Sequence, residues 1–226
     1  MTDSPKTLPD AALSTAPHAS IESQRSELQS RAHHTSVQRV YLIRHGETAW
    51  TLTGQHTGLT DIPLTEHGRE TAKRLEPVLT KLRFDLVLTS PLRRARETCE
   101  LAGLGERTHV DADLVEWNYG DYEGLTSKQI LAIDPGWFLF RDGCPGGERP
   151  EDVGARVDRV IARARSLRGH VALFAHGHFS RVLAARWLGL PVVSGSHFIL
   201  DTATLNILSY SQGVPALKRW NARLKV

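Results

Sequence analysis

Short apolar runs alternate along the chain with longer segments in which apolar residues recur about every 3.6 positions. Residues 40–43, 85–89 and 171–175 form such runs, and polar residues, glycine or proline bound them. Continuous apolar runs are typical of strands that are buried on both faces of a parallel sheet. The alternation therefore predicts the α/β class, as a three-layer α/β/α sandwich with a mostly parallel central sheet.

Capping residues predict where several helices begin. Thr65 is suited to the N-cap position, and the pattern behind it predicts a helix that reaches to about Leu82. Ser90 followed by Pro91 predicts an N-cap and a first helical residue, with the helix continuing to about Leu104.

Further elements are predicted in the second half of the chain. Thr126 and Gln129 have the spacing of a capping box, which predicts a short helix. Apolar residues recur with a helical period over 153–167 and again over 179–187. Strand-like segments on either side of residues 212–213 predict a closing β-hairpin.

The first three dozen residues differ from the rest of the chain. Residues 1–36 are rich in Ser, Thr, Ala, Pro and His and have no sustained hydrophobic period, which predicts a disordered N-terminal extension. The length of 226 residues suits one domain with such a tail, so a single folded domain is predicted over residues 37–226.

The charge balance favours small anionic ligands. The chain has 28 Lys and Arg against 25 Asp and Glu, a net charge of +3, and residues 1–36 contribute slightly more acidic than basic groups. The predicted domain is therefore mildly basic, but it has no run of basic residues and no basic-aromatic stripe. We expect no nucleic-acid partner.

Cysteine content and hydropathy predict a cytoplasmic protein. Cys99 and Cys144 are the only cysteines and lack metal-ligand spacing, which favours a reducing compartment. No apolar stretch approaches the ~20 residues that a membrane helix needs. The amino terminus has neither the apolar region of a signal peptide nor the composition of a transit peptide, so no membrane partner is expected.

Two histidines follow two of the predicted strands directly. His45 follows the run 40–43 with only Arg44 between them, His176 comes directly after the run 171–175, and each is followed by glycine, Gly46 and Gly177. Ligands of open α/β sheets bind beyond the carboxyl ends of the strands. Glycine lets a ligand approach the main chain closely. The two histidines are therefore predicted to share one site.

The residues around these histidines suit phosphoryl transfer, which needs a nucleophile, cations around the phosphoryl oxygens and an acid for the leaving group. A histidine is a nucleophile when one ring nitrogen is neutral, and His45 is our candidate. Arg44 and an arginine from residues 90–94 are candidate phosphate ligands, and a protonated His176 would add a third cation. Chemistry alone leaves the acid open among Glu116, Asp121 and Glu123.

Several motifs occur in the order seen in one enzyme family. They are Arg44-His45-Gly46-Glu47-Thr48, Thr57-Gly58, Ser90-Pro91-Leu92-Arg93-Arg94-Ala95, Glu116 with Tyr119-Gly120, and His176-Gly177. From Val40 to its end the chain resembles the histidine phosphatase superfamily, which includes the cofactor-dependent phosphoglycerate mutases. The resemblance implies that His45 is the phosphorylated nucleophile and that Glu116 is the proton donor and later the water activator. It also implies three phosphate ligands, Arg44, Arg94 and His176.

The resemblance extends to the substrate-binding residues. The candidate set is Thr51, Thr57, Gly58, Tyr119 and Gly177, with His178 as a candidate contact for the part of the substrate beyond the phosphate. Thr51 stands where the family often has asparagine, and its side chain is shorter. No cofactor and no metal ion are implied, and the substrate is expected to be a small phosphorylated metabolite. The sequence leaves the formation of a homo-oligomer open.

Phosphatase and mutase remain alternatives within this resemblance. The mutases have a long insertion with a lysine and paired arginines after the acid motif, whereas residues 126–148 are short and contain only Lys128 and Arg141 as cations. The segments 116–124 and 141–148 resemble a small phosphatase branch with fungal-type sedoheptulose bisphosphatases and mycobacterial-type acid phosphatases. A phosphomonoester hydrolase acting on a sugar phosphate or bisphosphate is therefore favoured over a phosphoglycerate mutase.

Three unrelated readings are weaker. Cys144 and Arg149 resemble the loop of cysteine phosphatases, but four residues separate them where that family has five. A zinc or di-metal hydrolase would need carboxylate ligands at suitable spacing, and a cation beside His45 would repel the metal. A non-catalytic module that captures phosphorylated ligands would not require the acid.

Overall fold

The computed structural model describes residues 38–224, so the predicted disorder of residues 1–36 lies outside the described residues. The strands are β1 Val40–Arg44, β2 Phe84–Thr89, β3 Thr108–Val110, β4 His170–Ala175, β5 Leu205–Ser211 and β6 Val214–Ala222. The helices are α1 Ala49–Thr53, α2 Glu66–Lys73, α3 Glu76–Leu79, α4 Arg93–Leu101, α5 Ser127–Ile133, α6 Leu139–Asp142, α7 Pro150–Arg165 and α8 Gly177–Trp187. Short 3₁₀ turns occupy Gly105–Arg107, Ala112–Leu114, Gly120–Tyr122 and Val192–His197.

The strands form one sheet in the order β3-β2-β4-β1-β5-β6. The first four strands in that order pair in parallel, whereas β5 runs antiparallel to β1 and β6 antiparallel to β5. The predicted fold class, with a mostly parallel central sheet, is confirmed. So is the closing hairpin around Gln212 and Gly213.

A hydrophobic core lies on each face of the sheet, which makes the sandwich three-layered. Alternate residues of β1 point to opposite faces, so Leu42 packs into one core and Ile43 into the other. The first core also contains the apolar stripes of α7 and α8, and the second contains residues of α3 and α4. Both long helices match the amphipathic segments predicted from the sequence.

The parallel register of β1 and β4 brings the two strand-terminal histidines to one edge. Arg44 is the register partner of Ala175, and the His45 N–H donates to the Ala175 carbonyl at 3.0 Å. The Ser90 N–H, just beyond β2, donates to the Phe174 carbonyl at 3.0 Å. Three loops therefore leave the carboxyl ends of neighbouring strands side by side.

The helix predicted from Thr65 to Leu82 is wrong in its length. Thr65 caps α2 as expected, but α2 ends at Lys73 and a separate turn, α3, begins at Glu76. Pro77 explains the break, because it has no N–H to donate to the carbonyl four residues earlier and its ring collides with that turn.

The start of the next helix was also predicted too early. Leu92, not Ser90, is the N-cap of α4, and the helix ends at Leu101 rather than Leu104. Ser90 makes a different contact, because its hydroxyl lies 2.8 Å from Nε2 of His176. Gly103, at a φ of +75°, follows the end of the helix. The capping box of Thr126 and Gln129 at α5 is confirmed.

No helix within residues 38–224 combines the length and the apolar character that crossing a bilayer requires.

Truncation of a buried side chain in the central strand β1 should destabilise the folded domain. Leu42 has no exposed surface, so we expect Leu42→Ala to lower the free energy of unfolding by about 2–5 kcal/mol through lost burial and a residual cavity. Leu52→Ala is the matched control, because Leu52 is 65% exposed and its truncation should change stability by less than about 0.5 kcal/mol. Chemical denaturation of both variants measures the difference, and equal losses would contradict this view of the core.

Candidate active site

A cleft of about 170 Å³ lies at the carboxyl ends of β1 and β4. It is open to solvent on one side and is floored by the residues that follow the two strands. Its lining includes Arg44, His45, Glu116, Tyr119, Gly177 and His178, all of which were predicted as site residues. The predicted residues Thr51 and Thr57 also line it.

His45 is held in one tautomer. Its side chain is buried, and Nδ1 lies 2.7 Å from the carbonyl oxygen of Gly46. Since a carbonyl only accepts, Nδ1 must carry the proton, which leaves the lone pair on Nε2. Burial, together with the Arg94 and Arg44 guanidiniums, holds the pKa of His45 well below its usual range. The ring is therefore neutral near pH 7 and has a nucleophilic Nε2.

The loop that supplies the Gly46 carbonyl is itself fixed. The Gly46 N–H donates to Oγ1 of Thr98 at 3.0 Å, and that hydroxyl donates to the Arg94 carbonyl at 2.7 Å. A Cβ at position 46 would lie 2.5 Å from the carbonyl oxygen of Gly68, so only glycine fits there. Thr98 was missed at the sequence level, because a buried threonine inside a helix has no distinguishing pattern.

Arg44 reaches the cleft from the end of β1. Its Nη1 donates to the Leu200 carbonyl at 2.5 Å, and its Nε is buried with no partner among the described residues. A Cβ on Gly177 would lie 3.3 Å from Cζ of Arg44 and 3.4 Å from Oε2 of Glu116. Glycine at this position therefore lets the guanidinium and the carboxylate approach each other across the start of α8.

Arg94 lies deeper than the residues that line the cleft. It is fully buried, with Nη1 donating to the Thr60 carbonyl at 2.9 Å and Nη2 to the carbonyls of Thr57 and Gly58 at 3.1 and 2.8 Å. Its Nε has no partner among the described residues. Gly58 does not line the cleft. Its place in the structure, with that of Thr57, is to hold Arg94.

His176 is a neutral group at the back of the site. Its ring centroid lies 5.2 Å from that of His45, and its Nδ1 is buried with no partner among the described residues. Burial, with Arg94 and His45 as further causes, holds the pKa of His176 well below its usual range. His176 is therefore a neutral hydrogen-bonding group and not the third cation considered from the sequence.

Glu116 is the only one of the three candidate acids that lines the cleft in the described part of the chain. Its Oε1 accepts from the N–H groups of Trp117 and Phe179 at 2.9 and 2.8 Å, and its Oε2 accepts from the His178 N–H at 3.0 Å. The carboxylate is thus fixed at the N-terminal end of α8, where the helix dipole favours negative charge.

The acid candidate Glu123 lies outside the cleft lining and binds a neighbouring loop. Glu123 accepts from the N–H groups of Gly58 and Thr60, so it stabilises the loop that holds Arg94.

The Thr51 hydroxyl is engaged in the capping box of Thr48, although Thr51 borders the cleft. Its hydroxyl therefore already donates to a main-chain carbonyl.

Aromatic and cationic side chains form the outer wall of the cleft. The Tyr119 hydroxyl lies 2.5 Å from Nδ1 of His178, and the His56 ring lies 4.8 Å from the Tyr119 ring. Arg181 packs over Phe140 and also borders the cleft. Sequence reasoning missed Arg181, although it lies three residues after His178 and therefore on the same face of α8.

Burial of the cysteines removes the cysteine-phosphatase alternative. Burial raises the pKa of both Cys99 and Cys144 to about 12, so neither is a thiolate near neutral pH. Within residues 38–224 no cluster of three or more His, Cys, Asp or Glu side chains is arranged to hold a metal ion.

Most of the chain is similar to proteins of known family. The family model of the histidine phosphatase superfamily (branch 1) matches residues 40–223. An acid phosphatase of Mycobacterium tuberculosis is 43% identical over 79% of this chain and 90% of its own length. The sedoheptulose 1,7-bisphosphatase of Saccharomyces cerevisiae is 37% identical over 80% of this chain and 78% of its own.

A solved structure gives the same relationship. The crystal structure of an open reading frame from Mycobacterium tuberculosis has a TM-score of 0.79 at 40% identity, covering 83% of this chain and 99% of that one. The chain therefore belongs to the histidine phosphatase superfamily. It is an enzyme of the phosphoric monoester hydrolase class.

The neutral buried histidines should make stability depend on pH. The pKa values of His45 and His176 lie well below 6.5 in the folded protein, so the unfolded chain takes up protons first as the pH falls. Each histidine should therefore reduce the free energy of unfolding by up to ~1.4 kcal/mol per pH unit below about 6.5, until its folded-state pKa is reached.

Denaturant unfolding from about pH 7.5 to about pH 5.5 measures this dependence. His176→Asn is the comparison variant, and its slope should be shallower by about one proton. The same slope in both proteins would contradict a neutral His176.

Proposed function

We propose that the cleft hydrolyses small phosphorylated metabolites without a metal ion, through a covalent phosphohistidine at His45. The neutral imidazole supports this most directly, because its Nδ1 proton is held by the Gly46 carbonyl and its Nε2 lone pair is available. Arg44 beside it supplies charge for the phosphoryl oxygens. Few other arrangements make a histidine nucleophilic while it is surrounded by guanidiniums.

In the first step the Nε2 lone pair of His45 attacks phosphorus and the bond from phosphorus to the ester oxygen breaks. Glu116 in its acid form gives its proton to the departing oxygen, so the alcohol leaves neutral. The negative charge on the transferred group is stabilised by Arg44 and by two inner side chains. The unpartnered Nε of Arg94 is a donor for a phosphoryl oxygen, and Nδ1 of His176 is one in the tautomer whose Nε2 accepts from the Ser90 hydroxyl.

In the second step water replaces the alcohol. Glu116, now a carboxylate, takes a proton from the water as its oxygen attacks phosphorus, and the bond from phosphorus to Nε2 of His45 breaks. Inorganic phosphate leaves and Glu116 is protonated again. The exposed side of the cleft gives water access to this intermediate, which favours a phosphatase over a mutase.

The outer wall supports a phosphorylated sugar as substrate. His56, His178 and Arg181 offer hydrogen-bonding groups next to aromatic faces, an arrangement that suits a polyhydroxylated molecule. The similarity to a sedoheptulose 1,7-bisphosphatase also supports a phosphorylated sugar as substrate. We place the phosphatase domain at residues 37–226, after an N-terminal extension, and in the cytoplasm.

A panel of phosphorylated sugars, phosphoglycerates and an aryl phosphate, assayed with EDTA present, tests the proposal. We expect inorganic phosphate to be released, and ³²P from a labelled substrate to be found on histidine in enzyme denatured with alkali, because phosphohistidine is stable in alkali and hydrolyses in acid. His45→Ala should lose at least about 10⁴-fold in kcat, since its nucleophile is gone.

The exposed histidine variant His109→Ala is the matched control and should retain full activity. Full activity of His45→Ala, or loss of activity in EDTA, would refute the mechanism. Isomerisation of phosphoglycerate without phosphate release would favour the mutase. Capture of phosphate esters without turnover would favour the binding module.

Glu116→Gln should separate substrates by leaving group. Glutamine keeps the shape of the side chain but cannot give a proton, so transfer from alkyl phosphates should slow by about 10²–10⁴-fold. Transfer from an aryl phosphate should slow far less, because its phenolate leaves without protonation. Rapid-quench measurement of the first turnover checks this, and equal losses on both substrates would assign the acid to another group.

A further inference from the structure

A partly buried ion pair lies directly behind the loop that contains Glu116. Arg156, on α7, is 6% exposed at its side chain and Glu148, before the same helix, is 21% exposed. The Arg156 guanidinium donates two hydrogen bonds to the Glu148 carboxylate, from Nε to Oε1 at 2.8 Å and from Nη2 to Oε2 at 3.0 Å. Neither residue lines the cleft.

The remaining donors of Arg156 all bind the main chain next to Glu116. Nη1 donates to the carbonyls of Asp113 and Val115 at 2.9 and 2.7 Å, and Nη2 donates to the Glu116 carbonyl itself at 3.0 Å. All five N–H groups of the guanidinium are therefore used, three of them on this short segment.

Glu148 holds the same loop from its other end. Its Oε2 also accepts from the Asn118 N–H at 2.8 Å, its carbonyl accepts from Nε1 of Trp117 at 3.0 Å, and its N–H donates to the Asn118 carbonyl at 2.9 Å. Residues 115–119 belong to no helix or strand, so no regular pattern of helix or sheet hydrogen bonds holds this loop in place.

Arg156 also contacts the second element that fixes the carboxylate. Its Cζ lies 5.0 Å from the centroid of the Phe179 ring, and the Phe179 N–H donates to Oε1 of Glu116. The Arg156 guanidinium thus binds the Glu116 backbone and also packs against Phe179, whose N–H binds the Glu116 side chain.

We propose that Arg156 and Glu148 are positioning residues that set the place of the Glu116 carboxylate relative to the leaving oxygen. The inference rests on the proposed function of Glu116. Neither residue touches the substrate, so their effect on turnover passes through Glu116. Placement of an acid within hydrogen-bond reach of the transferred proton is what its efficiency depends on.

A merely structural role predicts a different pattern. A structural pair would lower stability and reduce the amount of active enzyme, and this would lower kcat by one factor for every substrate. A positioning pair slows the steps in which Glu116 moves a proton, and it has nothing left to affect once Glu116 cannot donate.

A double-mutant cycle tests the inference. Arg156→Lys keeps the charge but loses the fork that reaches both Glu148 and the Glu116 carbonyl. We expect its first-turnover rate to fall about tenfold or more on an alkyl phosphate and at most about threefold on an aryl phosphate. In the Glu116→Gln background the same substitution should cost less than about twofold on the alkyl phosphate.

The chain offers a close control and a second variant. Arg159→Lys changes an arginine three residues along α7 that pairs with Asp113 at the surface, and it should behave as wild type on both substrates. Glu148→Gln keeps the volume and one acceptor of the carboxylate, so it repeats the cycle if Arg156→Lys fails to fold. Rates are compared per mole of folded enzyme, from active-site titration by phosphohistidine.

Equal losses in the wild-type and Glu116→Gln backgrounds would overturn the inference, and so would equal losses on alkyl and aryl phosphates. These outcomes differ from a failure of the proposed function. If Glu116→Gln alone shows no dependence on the leaving group, the assignment of the acid falls first. If it shows that dependence and the cycle is additive, only the role of the Arg156 and Glu148 pair is lost.

Discussion

The parallel pairing of β1 with β4 is the constraint on which the rest of the site depends. It aligns Arg44 with Ala175, and the ladder continues one step further through the His45 N–H. His45 and His176 are far apart along the chain, and this pairing holds their ring centroids 5.2 Å from each other. A shift of one residue in this register would turn each side chain to the opposite face of the sheet.

Electrostatics in the buried part of the site follow from this crowding. Two guanidiniums and two imidazoles share a buried region, and burial lowers the pKa of each of the four groups. The imidazoles are therefore neutral near pH 7, whereas a guanidinium keeps its proton in proteins. Backbone carbonyls and the single buried carboxylate of Glu116 balance the positive charge. The same burial that keeps both imidazoles neutral is the reason why we expect acid conditions to favour the unfolded chain.

The sequence was sufficient for the fold class and for most of the residues that line the cleft, because strand-terminal positions and short motifs are local signals. It placed His45, Glu116 and Gly177 correctly around one cleft. The break at Pro77 and the late start of α4 were missed because pattern and capping rules describe a helix in isolation. Arg156 and Glu148 carry no local signal, since their contacts join segments that only the folded chain brings together.

Three nitrogen atoms in and behind the cleft are buried without a hydrogen-bond partner among the described residues. They are Nε of Arg44, Nε of Arg94 and Nδ1 of His176. In energy-landscape terms the site is locally frustrated, because the native fold leaves these polar atoms without the partners that burial normally requires. An oxyanion bound to all three atoms would relieve this frustration, and part of the free energy that the fold sacrifices here would then be recovered on binding.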